Sequence, residues 1–175
     1  MRLLQYRDKS GVDRAAVRRL HALTARFGAL LIVNDDPAAA LLADGLHVGQ
    51  EDLAALGGGL RERIGDRILG VSCGVPADLP AALAEGADYV GTGPFAATAS
   101  KGDAGKPIGA AGLAAVVAAA GGLPVAAIGG IGANDLAAVA GAGARMAAVI
   151  SAVAGAPDPE RSARDLVERW QALCP

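Results

Sequence analysis

The sequence predicts an α/β fold, a (β/α)8 TIM-type barrel of which seven β/α units can be counted in this chain. Three observations lead there. Short apolar runs alternate with amphipathic or Ala-rich stretches of helical length. The runs are almost continuously hydrophobic, as strands are when a parallel sheet is covered on both faces. Each run also ends in polar or glycine chemistry, which suits a barrel mouth better than the single switch point of a doubly wound sheet.

Taken in order, "RLLQYR" is the first strand and leads to a helix from Asp13 to Phe27. "ALLIV" runs into Asn34, Asp35 and Asp36. Asp36 precedes Pro37, and an aspartate before proline at the first helical position is an N-cap, so a helix starts there and runs to Leu42. "GLHVG" is followed by Gln50, Glu51 and Asp52; Glu51 opens a helix to Leu60 and complements its dipole. "RILGV" ends at Ser72, ahead of a helix from Pro76 to Glu85. "DYVG" precedes a loop carrying Thr98, Ser100 and Lys101, then a helix from Ala110 to Ala120. "PVAAI" meets Gly129 and Gly130 before a helix from Ala133 to Ala140, and "RMAAVI" meets Ser151 before a helix from Pro159 to Leu173. No GxGxxG or P-loop sequence competes with this reading.

Composition narrows the function classes. With 175 residues, 53% hydrophobic and 19% charged, the chain has the material for one globular domain spanning residues 1–175. A formal charge of -2 and a pI near 5.6 supply no basic footprint for a phosphate backbone, and aromatics are 3% of the chain, so nucleic acid is not an expected partner. Cys73 and Cys174 lie far apart without metal-ligand spacing, which points to a reducing, cytoplasmic setting. The opening "MRLLQYRDKSG" lacks the apolar core of a signal peptide. From Pro107 to Asn134 no side chain is charged, but Gly121, Gly122 and Pro124 cut the run. It reads as a buried helix, a turn and a short strand, and no membrane partner is expected.

Several strand ends carry chemistry. Gln5, Arg7 and Lys9 alternate, so an extended strand would place all three on one face, where two cations suit an anion; an ordinary solvated strand end is the alternative. The glycine pair in "AIGGIG" permits close approach of backbone N–H groups to a phosphate, helped by Ser151 in the next loop, although a plain turn would use the same residues. Asp35 and Asp52 end neighbouring strands and are the hard oxygen ligands that Mg²⁺ takes alongside phosphates. His47, within a strand, and His21, on a helix, read as structural histidines, and Cys73 as a small neutral residue.

The ordered motifs "QYRDK", "LIVNDD", "DGLHVGQEDL", "ILGVS", "GADYVGTGP", "TASK", "AIGGI" and "VISAV" span nearly the whole chain. In this it resembles the thiamine-phosphate synthase family, barrel enzymes that join the pyrimidine and thiazole halves of thiamine phosphate. The resemblance implies that Gln5, Arg7, Lys9, Asn34, Ser72 and Lys101 bind hydroxymethylpyrimidine diphosphate and that Asp35 and Asp52 hold Mg²⁺. It implies contacts of Thr98, Ser100, Gly130, Ile150 and Ser151 with the thiazole phosphate, Ser100 standing where the family has threonine. Diphosphate would leave first, giving a pyrimidine carbocation that the thiazole nitrogen captures. Catalysis then asks for charge neutralisation by Mg²⁺, Arg7, Lys9 and Lys101, with Ser72 assisting, and for no side-chain nucleophile.

Two departures from the family pattern are visible. Ala96 and Ala97 stand where the family usually has Phe-Pro, which is expected to alter packing over the substrate. "QYRDK" matches the family's second strand, so a first unit of roughly 30 residues is expected to be absent, with a misassigned start as the simplest cause. The strand near Leu3 to Arg7 is then expected to be a poorly covered edge or to be completed by a second molecule, a homo-oligomer covering the open edge. Two rival readings are a thiazole tautomerase of the same fold and a non-catalytic phosphate-binding remnant. The tautomerase resemblance would need a histidine at position 74, which is Gly74.

Overall fold

The computed structural model describes residues 3–98 and 105–173. The chain divides into two compact units, Met1–Ser72 with Pro80–Asp88, and Cys73–Leu79 with Tyr89–Pro175. Among the described residues there are seven strands, as counted from the sequence, and the fold is α/β of the barrel type.

In the first unit β1 (Leu3–Tyr6), β2 (Leu30–Asn34), β3 (Gly45–Val48) and β4 (Ile68–Ser72) lie parallel in chain order. Asn34 is in register with His47, and His47 with Gly70. Leu31, Ile32, Val33, Leu46, Val48, Leu69 and Val71 are fully buried, the expected result for strands apolar on both faces. Gly45 is required where it stands, because a Cβ there would lie 2.4 Å from the Ile68 carbonyl oxygen. β1 differs from its neighbours: it pairs with β2, and none of its residues is buried. That agrees with the expectation of a poorly covered edge.

Helix α1 (Arg14–Arg26) starts at Asp13, whose Oδ1 accepts from the Ala15 and Ala16 amides at 2.8 and 3.1 Å. α2 (Pro37–Ala40) starts as the sequence indicates, with Asp36 accepting from the Ala39 amide at 2.9 Å. The single helix expected from Glu51 to Leu60 is two, α3 (Gln50–Leu56) and α4 (Leu60–Ile64). Gly57, Gly58 and Gly59 all have positive φ, at 75°, 80° and 67°, a conformation that ends one helix and re-aims the chain before the next. The Leu60 amide at the new start donates to Glu85 at 2.9 Å. The stretch expected as a helix from Pro76 is a 3-10 turn, Pro76–Asp78, followed by α5 (Leu79–Ala84).

In the second unit β5 (Tyr89–Thr92), β6 (Val125–Ile128) and β7 (Met146–Ala148) are parallel and in chain order. The charge-free stretch resolves as expected into α6 (Gly109–Ala119), a turn at Gly121 and Gly122, and β6. No helix among the described residues is long and apolar enough to cross a membrane. α7 (Leu136–Gly141) starts three residues later than expected, because Asp135 first ties a turn by accepting from the Gly132 amide at 2.8 Å. A four-residue helix, α8 (Ser151–Ala154), precedes α9 (Pro159–Leu173) and was not anticipated.

Candidate active site

The carboxyl ends of β2, β3 and β4 gather most of the first unit's candidate residues. Gln5 Nε2 donates to Asn34 Oδ1 at 2.6 Å, and Asn34 Nδ2 in turn donates to Asp35 Oδ2. Asn34 is buried although polar, and this chain of hydrogen bonds satisfies it. Asp35 follows with φ at 63°, alone among the described non-glycine residues in adopting positive φ. Its amide donates to the His47 carbonyl at 2.9 Å, which holds the backbone in that shape.

The Asp35 carboxyl is pushed above the ordinary carboxylate range, first by burial and then by the carboxylate of Asp52, with which it also hydrogen-bonds. The Arg7 charge and the Gly49 amide act in the opposite sense. Gly49 has no side chain where Asp52 needs room, since a Cβ there would stand 2.9 Å from Asp52 Oδ2. Asp35 Oδ1 is buried and has no hydrogen-bond partner among the described residues. Two crowded carboxylates with an orphaned oxygen fit a divalent cation, whose charge would satisfy that oxygen and relieve the repulsion. Mg²⁺ usually takes one or two carboxylates and completes its shell with phosphates and water, so a pair of this kind could hold it.

His47 sits one strand further on, with Nε2 3.0 Å from Ser72 Oγ. Burial, aided by the Arg7 charge, lowers its pKa to about 4, so the ring is neutral at physiological pH. Gln50 Nε2 donates to the Ser72 carbonyl. Neither His47 nor Gln50 was singled out in the sequence as part of a site. Their signal is the strand register, which places Asn34, His47 and Gly70 side by side and Ser72 two residues beyond Gly70 on the same face.

Lys9 does not follow the alternation expected for it. β1 ends at Tyr6, and Asp8 then closes a turn by accepting from the Ser10 amide and hydroxyl at 2.9 and 2.6 Å. Gln5 and Arg7 are tied electrostatically or by hydrogen bonds to the Asn34–Asp35 cluster, whereas Lys9 is exposed in the turn.

In the second unit, Gly129 and Gly130 have φ of 93° and 68°. The segment after β5 presses on them: a Cβ on Gly129 would lie 2.7 Å from Pro94, and one on Gly130 2.5 Å from the Ala97 oxygen. The Phe95 amide donates to Ile128 at 2.8 Å and the Ala96 amide to Gly129 at 2.9 Å. The glycine pair is therefore accounted for by this close approach, which brings Gly130 beside the residue preceding Thr98. Ile150 is 56% exposed and Ser151 opens α8. Thr92, at the end of β5, has a buried hydroxyl without a hydrogen-bond partner among the described residues, a feature the sequence did not mark. Ser100 and Lys101 lie outside the described residues. Cys73 is buried as a neutral thiol, its pKa raised to about 11 by burial and by nearby Asp78.

A parallel β/α fold with paired carboxylates, an arginine and hydroxyl side chains at its strand ends belongs to the class of barrel-type enzymes with chemistry at the strand carboxyl ends. The particular family follows from comparison with known proteins. The family model described as thiamine monophosphate synthase matches residues 1–153, and the chain belongs to that family. It is 47% identical over 171 residues to the thiamine-phosphate synthase of Moorella thermoacetica, covering 94% of this chain and 80% of that protein. It is 43% identical over 178 residues to the thiamine-phosphate synthase of Geobacillus kaustophilus, covering 97% of this chain and 80% of the relative. Among solved structures, the thiamine phosphate pyrophosphorylase from Pyrococcus furiosus superposes with a TM-score of 0.85 at 30% identity, over 99% of this chain and 84% of that one.

Proposed function

We propose that this chain joins hydroxymethylpyrimidine diphosphate to hydroxyethylthiazole phosphate, releasing diphosphate and forming thiamine phosphate. Thiamine-phosphate synthase, a transferase of thiamine biosynthesis, is the activity of its near-full-length relatives and of this chain. The observation that best supports this reading of the site is the Asp35–Asp52 pair with its orphaned oxygen, under the influence of the Arg7 charge.

In this reading Asp35 and Asp52 would hold Mg²⁺, which when bound would supply Lewis-acid charge for a diphosphate. The chain's own groups do the rest. Arg7 and Lys101, with Lys9 reaching in from the exposed turn that follows β1, neutralise the diphosphate as the methylene C–O bond breaks and its electron pair passes to the leaving oxygen. The Ser72 hydroxyl donates to the same anion. Gln5 and Asn34, already linked at 2.6 Å, present fixed polar edges to the pyrimidine. Thr98, Ser100, Gly130, Ile150 and Ser151 hold the thiazole phosphate, so that the ring nitrogen lone pair forms the new C–N bond with the pyrimidine carbocation. No proton needs to move for this bond exchange, which is why the site can work without a general base.

Incubation of the purified chain with both phosphorylated substrates and Mg²⁺, followed by assay of thiamine phosphate and diphosphate, tests the reading. Equimolar appearance of the two products is expected. Binding of both substrates without product would replace it with a phosphate-binding role. The uncovered β1 edge supports association with a second copy. Light scattering should then find a particle larger than the 17.2 kDa monomer, and a monomer at micromolar concentration would remove that part of the proposal.

A further inference from the structure

We propose that His47 is a positioning residue for this reaction: its ring Nε2–H donates to Ser72 Oγ and thereby directs the Ser72 hydroxyl proton toward the diphosphate of the pyrimidine substrate. The inference rests on the reading of Ser72 as a diphosphate ligand given above.

Ser72 is the last residue of β4, and it is held at two points from outside its own strand. His47 Nε2 on β3 is 3.0 Å from its hydroxyl, and Gln50 Nε2 at the start of α3 donates to its carbonyl. His47 is 9% exposed and stands in β3 among buried Gly45, Leu46 and Val48. It shares a face with Asn34, its register partner on β2.

A serine hydroxyl has one proton and two lone pairs, and its proton swings about the C–O bond until something directs it. Against an anion only one arrangement is useful. If the histidine nitrogen accepts the serine proton, the hydroxyl shows only lone pairs to the diphosphate and repels it. If the ring donates, one lone pair is occupied and the proton is left for the anion. The second arrangement also settles the hydroxyl before substrate arrives, so reorientation does not have to occur as charge develops on the leaving group. A buried histidine that sequence reading treats as structural thus acquires a role through the residue it touches.

A double-mutant cycle tests this. Ser72→Ala, His47→Leu and the double variant are compared with the parent in the synthase assay, with kcat and KM for the pyrimidine diphosphate determined separately. Each single variant should lose on the order of tenfold, mainly in kcat, because the diphosphate charge grows as the bond breaks. The double variant should be no slower than Ser72→Ala, and His47→Gln, which keeps an amide donor near the Nε2 position, should recover most of the loss. Multiplying losses would overturn the positioning role. No loss from Ser72→Ala would instead overturn the assignment of Ser72 itself, and this inference with it, while leaving the family activity standing. A second measurement needs no variant: ¹⁵N NMR of the histidine side chains should show His47 protonated at Nε2, and a proton on Nδ1 alone would overturn the proposal even if His47→Leu failed to fold.

Discussion

The two ends of the first unit's strands use aspartate in opposite ways. At the amino ends, Asp44 accepts from the Leu31 amide at 2.7 Å and lies 3.3 Å from His21 Nε2. Asp88 repeats the device, accepting from the Leu69 amide at 2.7 Å and from Arg61 at 2.7 Å. The backbone joins in, because the Asp44 and Asp88 amides donate back to the carbonyls of Leu31 and Leu69 at 3.0 and 2.8 Å. At the carboxyl end, Asp35 has an orphaned oxygen, a like charge beside it and a left-handed backbone. A carboxylate tied to a strand amide and to a basic side chain serves stability, whereas one held buried and short of partners retains affinity for something that arrives. Stability is concentrated at one end of these strands and unmet valence at the other.

Substitutions should separate the ends. The largest effect is expected from Asp35→Asn, which should lower synthase turnover by about a hundredfold or more, the scale of losing one charge-stabilising group. Asparagine tolerates positive φ, so the fold should survive, as circular dichroism can confirm. A variant that kept full activity would break the contrast. Asp36→Asn should change turnover little, since asparagine also caps helices; equal losses in the two variants would contradict the division of labour between neighbours.

At the amino ends the effect should appear in stability. Asp88→Ala leaves the Leu69 amide unsatisfied and removes the Arg61 partner, at a cost of about 1–3 kcal/mol in urea unfolding. Asp44→Ala should behave alike. Both should retain kcat at temperatures where they are folded; a selective loss of kcat would blur the distinction. Smaller still, Asp36→Ala should cost about 1 kcal/mol through the lost cap.

The subtlest test concerns pH. A carboxyl whose folded pKa is raised makes the folded state bind more protons, so its contribution is most favourable below the unfolded value and is lost as pH rises through the folded one. Metal-free Asp35→Asn protein lacks this loss. Its melting temperature relative to the parent should therefore increase as pH climbs above the ordinary carboxylate range, then level off. Added Mg²⁺ should raise the parent's melting temperature and leave the variant nearly unmoved, and identical responses would remove Asp35 as a ligand.

Much of the fold could be read from local signals. The short apolar runs located all seven strands to within a few residues; for β2 to β6 the cause is burial on both faces, which demands an apolar composition over four or five positions. The Asp36–Pro37 pair located a helix start, because capping acts within three residues. The break between α3 and α4 was harder, since a glycine run says that the chain can turn without saying that a second helix starts beyond it. Strand alternation does not extend past Tyr6 to Lys9, because there the short-range bonds of Asp8 to Ser10 prevail over the period of two.

By itself, then, the sequence determined the alternation of strands and helices, the cap at Asp36 and the Asn34–Asp35–Asp52 set, through composition, period and ordered motifs. What only the tertiary structure decided was which groups share their bonds. Asp35 is crowded by Asp52, and His47 reaches Ser72 across 25 residues of chain, because parallel pairing sets β3 between β2 and β4. Register between strands depends on packing over the whole unit, so a histidine and a serine that look unrelated along the chain come within hydrogen-bonding distance only when the strands are assembled.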